Sequence, residues 1–338
     1  MTMLNNDFLA LTLANQDALV PFQFTFPQGD AFVEDTGILR LEPNVPSNVN
    51  LVVSVGIHGN ETGPIELVNQ LVTSILDGRV SLNVRLLILI GNPVAANVGK
   101  RFCEVNLNRL FNGAWQQYDG FESKRAARLE KAIEDFFSPV ANDAQQMKLH
   151  YDLHTAIRGS VHEKFVVYPF VKDGIYNQEQ LGFLAASGID AVLLSHQPTT
   201  TFSYYSHAVH GAHAFTVELG KVFPFGENDL TRFADLKQSL IVLFEQGVLA
   251  QSEWSSMNVF RVLDSLIKDD DSYVLNIADD VRNFTQFEAG YRLAHSNKSD
   301  YHIEQSGDAI VFPNTNLPIG QRAGLMVRLI DPSALKLG

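Results

Sequence analysis

Three residues of this chain have the types and spacing to hold a divalent metal ion. His58 and Glu61 stand three positions apart in His58-Gly-Asn-Glu61-Thr-Gly-Pro64, directly after the apolar run 51–57. Imidazole nitrogen and carboxylate oxygen suit zinc, and a catalytic zinc site takes three protein ligands and keeps one position open. His154, at the end of the run Tyr151-Asp152-Leu153-His154, offers the third ligand. A His-x-x-Glu pair alone is common on protein surfaces, so its setting has to carry the reading.

In open α/β sheets, ligands gather at the carboxyl ends of strands. His58 and Glu61 follow one such end, Asn92-Pro93 another and His154 a third; Glu218, in Ala214-Phe-Thr-Val-Glu218-Leu-Gly220, lies near a fourth. Glu218 sits in an otherwise apolar run, where an ionised carboxylate is costly to bury without a role or a partner. Beside a metal it suits general base and acid work; the plainer reading pairs it with an arginine at the sheet edge. His150, Asp152 and His154 share one strand face. Asp152 reads equally as a carboxylate orienting a ligand imidazole or as a strand-end residue satisfied by backbone N–H groups. His150 reads as a partly buried strand histidine, the substitute should His154 not be a ligand.

Segment 100–111 carries Lys100, Arg101, Asn106, Asn108 and Arg109. An arginine fork suits both a developing oxyanion and a substrate carboxylate; a solvated loop or short helix is the plainer reading. Cys103 reads as an inert small apolar residue, with no thiol-activating partner nearby in sequence. His162, His196, His207, His210 and His213 carry no assignment.

The elements that must position these residues alternate between about 35 and 250. The runs 50–57, 84–91, 149–154, 164–168, 190–194 and 212–219 are apolar and β-branched without strict alternation, as in strands buried on both faces. Between them, 64–76, 122–137 and 229–247 show helical periodicity; Pro64 suits a helix start, and Ser138-Pro139 stops the second run. The pattern predicts an α/β/α sandwich with a largely parallel or mixed sheet. From about residue 251 the runs 259–263, 273–277, 284–287, 292–295, 301–304, 309–312 and 325–330 read as short strands between turn signals. We therefore expect a catalytic domain over 1–250 and a smaller β-rich domain over 251–338.

With 338 residues, 46% of them hydrophobic, the chain can bury a large core. Its 38 acidic and 25 basic residues give a net charge of −13. That balance argues against nucleic acid and anionic membrane surfaces as partners, while local arginines leave room for a small anionic substrate. No apolar run approaches the ~20 residues of a membrane span. Residues 1–8 lack the basic region and cleavage site of a signal peptide. The single cysteine excludes an internal disulfide, and together these features point to the cytoplasm. A homo-oligomer is compatible with the sequence, which does not specify one.

The motifs His58-Gly-Asn-Glu61-Thr-Gly-Pro64, Gly91-Asn-Pro-Val-Ala-Ala96, Arg101-Phe through Asn108-Arg109-Leu-Phe111, Asp152-Leu-His154-Thr155-Ala156-Ile157-Arg158 and Thr216-Val-Glu218-Leu-Gly220 resemble those of one family. It is the succinylglutamate desuccinylase and aspartoacylase branch of the zinc carboxypeptidase-like hydrolases. The likeness extends to Asp7-Phe-Leu-Ala-Leu-Thr-Leu and Ile310-Val-Phe-Pro-Asn314, and so covers nearly the whole chain. It implies a zinc carboxypeptidase-like fold and one zinc per chain held by His58, Glu61 and His154. It also implies Glu218 as general base and acid, Arg101 as the group polarising the scissile carbonyl, and Asn108 with Arg109 as substrate-carboxylate binders. The implied reaction is hydrolysis of a small N-acyl amino acid. Segments 158–165 and 218–222 resemble the desuccinylase branch, which implies N-succinyl-L-glutamate as substrate; an aspartoacylase or broader N-acyl amino acid hydrolase is the near alternative. A non-catalytic zinc protein is the distant one, although structural zinc sites are usually closed and cysteine-rich. The chain departs from the family at Asn106, where Asp is common.

Overall fold

The structure, a computed structural model, describes residues 6–314 and 316–338; residues 1–5, within the stretch read above for a signal peptide, lie outside it. In chain order the strands are β1 (Phe22–Phe26), β2 (Gly29–Asp35), β3 (Ile38–Pro43), β4 (Val49–Val55), β5 (Arg85–Ile90), β6 (Met147–Ala156), β7 (Lys164–Tyr168), β8 (Ile175–Tyr176) and β9 (Ala191–Leu194). They continue with β10 (His213–Lys221), β11 (Asn258–Ile267), β12 (Val274–Leu275), β13 (Thr285–Gln286), β14 (Arg292–His295), β15 (Asp300–His302), β16 (Ala309–Val311), β17 (Arg322–Ile330) and β18 (Lys336–Leu337). Thirteen of them form one sheet in the order β1-β2-β3-β5-β4-β6-β10-β7-β9-β11-β17-β16-β13. The sheet is mixed. β5, β4, β6 and β10 run parallel, whereas β7 is antiparallel to β10 and carries β9 and β11 in its own direction.

Side chains alternate across the pleat, so each central strand feeds two cores. Leu51, Val53 and Val55 of β4, Leu149, Tyr151 and Leu153 of β6, and Phe215 and Val217 of β10 pack on one face. Helices α1 (Phe8–Ala14), α2 (Thr62–Leu76), α5 (Gln178–Ala186) and α7 (Ala234–Gln246) cover that side. On the other face Val52, Leu87, Leu89 and Ala214 meet α4 (Phe121–Phe137) and α6 (Phe202–His210). The expected α/β/α layering is therefore the observed one. This second face also carries, in adjoining register, Ser54 beside Asp152 and Thr216, and His154 beside Glu218. These polar groups sit at the carboxyl end of the parallel strands.

Several elements differ from the sequence reading. The helix expected from 229 begins at Ala234, after a 3₁₀ turn over Leu230–Phe233 that Asp229 caps. The meander β1–β3 was not expected, because its outer strand alternates exposed and half-buried positions and so lacks a buried-strand signature. Helices α5 and α6 also escaped the periodicity. The expected smaller β-rich domain is present: β12, β14 and β15 form a sheet of their own, while β11 pairs with β9 and so joins the rest to the large sheet. The domain's Phe260, Phe284, Val311, Leu325 and Val327 pack with Phe165, Ala191 and Leu193 of the central sheet. Phe165 lies opposite Glu218 in the β7–β10 pair, so this cluster shares the face that carries Glu218. Asn283 clamps the loop that follows His154, donating to Gly159 O at 2.9 Å and accepting from Val161 N at 3.0 Å.

Candidate metal centre

The loop after β4 is shaped by two glycines. Gly56 has φ +63°, a left-handed conformation that side chains disfavour. At Gly59 a Cβ would lie 2.2 Å from Ala96 N, because the loop packs backbone to backbone against α3 (Pro93–Asn97). Gly59 N–H donates to Arg101 O at 3.0 Å, which ties this loop to segment 100–111. Glu61 then stands at the N-terminus of α2, where the helix dipole favours a carboxylate.

His58, Glu61 and His154 are all buried, and one donor atom from each lies within 4.8 Å of the others. His58 Nε2 is 3.0 Å from Asn106 Oδ1. That oxygen also accepts from the Asn108 N–H at 3.0 Å, which fixes the orientation of the Asn106 amide. An amide oxygen only accepts, so His58 carries its proton on Nε2 and its lone pair on Nδ1. Nδ1 lies 2.9 Å from Glu61 Oε1 without a hydrogen bond between them. Two acceptors face each other there, an arrangement a cation relieves. Burial, then the Arg101 charge, lowers the His58 pKa to about 4, so its ring is neutral.

His154 is oriented alike. Its Nε2 donates to Asp152 Oδ2 at 2.9 Å, and its Nδ1 faces Glu61 Oε2 at 2.8 Å. Burial opposes its charge, but Asp152 and Glu61 outweigh burial and hold the ring protonated well above the usual range. A proton on Nδ1 thus stands where a metal would bind, and metal must displace it. Burial likewise opposes ionisation of Glu61, yet the charges of His154 and Arg101 keep it a carboxylate. Two imidazoles offering Nδ1, each held through Nε2 by an oxygen acceptor, and a carboxylate between them fit zinc.

Behind His154 runs a directed hydrogen-bond chain. Ser54 Oγ donates to Asp152 Oδ1 at 2.5 Å and lies 2.7 Å from His150 Nε2. Its proton being spent on Asp152, Ser54 accepts from His150 Nε2–H. His150 Nδ1 then accepts from Ser206 Oγ at 2.7 Å. Both ring nitrogens of His150 are thereby engaged, and burial lowers its pKa to about 4. Asp152 takes side-chain donors from Ser54 and His154, as an orienting carboxylate does.

Glu218 is buried, and its Oε2 has no hydrogen-bond partner. Burial lifts its pKa to about 7, the attraction of His154 and Arg101 being set against Glu61 and Asp152. No arginine pairs with it among the described residues. Arg101 instead donates from Nη1 to Glu61 Oε1 at 2.6 Å. Asn108 Oδ1 accepts from Phe202 N at 2.9 Å, which leaves the amide nitrogen to donate elsewhere. Arg109 is reached by solvent yet closely walled by protein; enclosure and the charges of Arg322 and Arg101 pull its pKa down to about 9. Cys103 is exposed rather than packed, with its thiol pKa raised by desolvation and Glu122.

Sequence reasoning missed Ser54, Ser206 and the role of Asn106 as the acceptor for His58. Ser54 had a signal, a lone hydroxyl in an apolar strand; Ser206 had none.

The family model for the succinylglutamate desuccinylase/aspartoacylase catalytic domain matches residues 47–244, and that for the AstE/AspA barrel-sandwich hybrid domain matches 255–329. The chain is 44% identical to a succinylglutamate desuccinylase of Shewanella pealeana over 339 residues, covering 98% of both chains. The crystal structure of succinylglutamate desuccinylase from Chromobacterium violaceum superposes with a TM-score of 0.84 at 38% identity, covering 96% of this chain and 98% of that one. The Vibrio cholerae desuccinylase gives 0.86 at 33% identity, covering 95% and 94%. A mixed α/β sheet with a β-rich carboxyl-terminal part, two matching family models and near-full-length relatives agree: the chain belongs to the succinylglutamate desuccinylase/aspartoacylase family.

Proposed function

We propose that the protein is a zinc-dependent amidohydrolase that cleaves N-succinyl-L-glutamate to succinate and L-glutamate, the last step of the arginine succinyltransferase degradation route. The observation that carries the reading is Glu218, buried, without a hydrogen-bond partner at Oε2 and one strand across from His154. The near-full-length identity to relatives named succinylglutamate desuccinylase supports the substrate.

One zinc per chain would be held by His58, Glu61 and His154. When bound it supplies a Lewis acid and a means of acidifying water. Glu218 accepts a proton from the attacking water and returns it to the amide nitrogen as the C–N bond breaks; a carboxylate with a pKa near neutrality suits both halves of that task. Arg101 stabilises the oxyanion, a contribution of about 3–4 kcal/mol for a well-placed donor. Asn108 and Arg109 hold a substrate carboxylate, the first through its free amide N–H groups. Residues 1–250 form the catalytic unit, and 251–338 narrow the mouth in favour of small acyl amino acids. No helix among the described residues is long and apolar enough to cross a membrane, and we place the enzyme in the cytoplasm.

The test is a panel of N-succinyl-L-glutamate, N-acetyl-L-aspartate and other N-acyl amino acids, assayed with metal-analysed protein. A kcat/KM highest for N-succinyl-L-glutamate supports the proposal. Preference for N-acetyl-L-aspartate makes the protein an aspartoacylase, and no turnover with bound zinc makes it a non-catalytic zinc protein.

A further inference from the structure

Ser206, His150, Ser54 and Asp152 are fully buried, so water cannot make or mend the hydrogen bonds that run through them to His154. Strand register supplies part of the arrangement: Ser54 of β4 lies opposite Asp152 of β6, and His150 stands two residues back on the same face. The donors and acceptors leave one polarity. The Asp152 carboxylate only accepts, taking the Ser54 hydroxyl at 2.5 Å on Oδ1 and His154 Nε2–H at 2.9 Å on Oδ2. Ser54 has a single hydroxyl proton. If His150 carried its proton on Nδ1, its bare Nε2, 2.7 Å from Ser54 Oγ, would compete with Asp152 for that proton. One buried acceptor would then face another. With the proton on Nε2, His150 donates to Ser54, accepts from Ser206 Oγ at 2.7 Å, and satisfies every group. Phe202 of α6 meets the His150 ring edge-on, with centroids 4.9 Å apart, and holds its plane.

A buried acceptor left without its donor is costly, so the tautomer of His150 decides whether Asp152 keeps both of its donors. A carboxylate pinned at one oxygen by a fixed hydroxyl cannot swing the other away from His154. We propose that His150 is a positioning residue for the metal centre: through Ser54 it fixes the Asp152 carboxylate, and with it the His154 ring, from three hydrogen bonds away. The proposal rests on the metal reading above and extends it to α6, whose Ser206 selects the His150 tautomer. His154 is thereby aimed with Nδ1 towards Glu61 before any ion arrives. A ligand oriented in advance binds metal more tightly, because less ordering is left to do on binding.

His150→Phe keeps a ring against Phe202 and removes both ring hydrogen bonds. It should weaken zinc binding about tenfold in a chelator competition at fixed pH, the lower end of what partners that orient a ligand contribute. Ser54→Ala should weaken it by a similar factor. The double variant should also lose about tenfold, because His150 acts only through Ser54; independent contributions would multiply to about a hundredfold. His150→Gln presents an amide N–H near the Nε2 position and should stay within about threefold of wild type. A loss near a hundredfold in the double variant, an affinity within about twofold of wild type in His150→Phe, or a Gln variant no better than Phe would each overturn the proposal. A merely structural role would lower the melting temperature of the variants and leave the zinc affinity of the folded protein unchanged. Histidine nitrogen NMR of the wild type reads the polarity without any substitution: His150 should show a protonated Nε2 and a bare Nδ1, with and without zinc, and the opposite tautomer would overturn the proposal. If the wild type binds no zinc, the metal reading fails, and the His154 Nε2–H resonance decides the positioning role. That resonance should shift in His150→Phe, and an unchanged one would overturn the proposal.

Discussion

Replacing Glu218 by Gln should stabilise the metal-free protein at neutral and alkaline pH. Burial raises the Glu218 pKa from 4.5 to about 7. A carboxyl group whose pKa rises on folding costs stability once it must ionise, at ~1.4 kcal/mol for each tenfold gain in proton affinity, so the full cost here is about 3 kcal/mol. The sign follows from proton binding. Between 4.5 and about 7 the folded state holds the proton and the unfolded state does not, so wild-type stability falls with rising pH across that window. Below it the two proteins should be equally stable, and above it the variant should lead by a constant margin. For a chain of 338 residues, unfolding entropy near ~0.7 kcal/mol/K converts that margin into about 5 °C of melting temperature. Differential scanning calorimetry of both proteins at pH 4, 6 and 8, without metal and with zinc, is the assay. Zinc should shrink the margin, because a nearby cation favours the Glu218 carboxylate. Melting temperatures that stay parallel from pH 4 to 8 would refute the argument that Glu218 is buried without compensation.

Three further outcomes follow from the same geometry. Because His154 holds a proton on the nitrogen facing Glu61, zinc affinity should rise about tenfold for each step of one in pH through neutrality; calorimetry in buffers of different ionisation enthalpy should show a proton released on binding. Asn106→Ala removes the acceptor that fixes the His58 tautomer and should weaken zinc binding about 10- to 100-fold in a chelator competition. Arg101→Ala should chiefly lower kcat and Arg109→Ala chiefly raise KM; steady-state kinetics within about twofold of wild type for both would remove these assignments.

The central strands were legible because burial on both faces writes an apolar run, and β4, β6, β7 and β10 each fall within about two residues of their expected bounds. The meander β1–β3 lies at a sheet edge, where half-exposed positions erase that signal. The segments bearing the site were legible for a different reason: His58, Glu61, His154 and Glu218 are polar residues at the ends of apolar strands, where burial needs an explanation. Partners that reach the site from sequence-distant elements were not. Ser206 meets His150 from α6, and it is not unusual among its sequence neighbours. Only the packing of α6 on the site face brings Ser206 there, and no local pattern encodes that contact.

We propose that His58, Glu61 and His154 hold one zinc ion on which hydrolysis depends. Metal-free protein titrated with zinc, with bound metal and N-succinyl-L-glutamate turnover read on the same samples, tests it most directly. Activity should rise in proportion to bound zinc and stop at one ion per chain, and His154→Ala should gain neither metal nor turnover. Full turnover before zinc is added, or wild-type zinc content in His154→Ala, would rule out this metal centre.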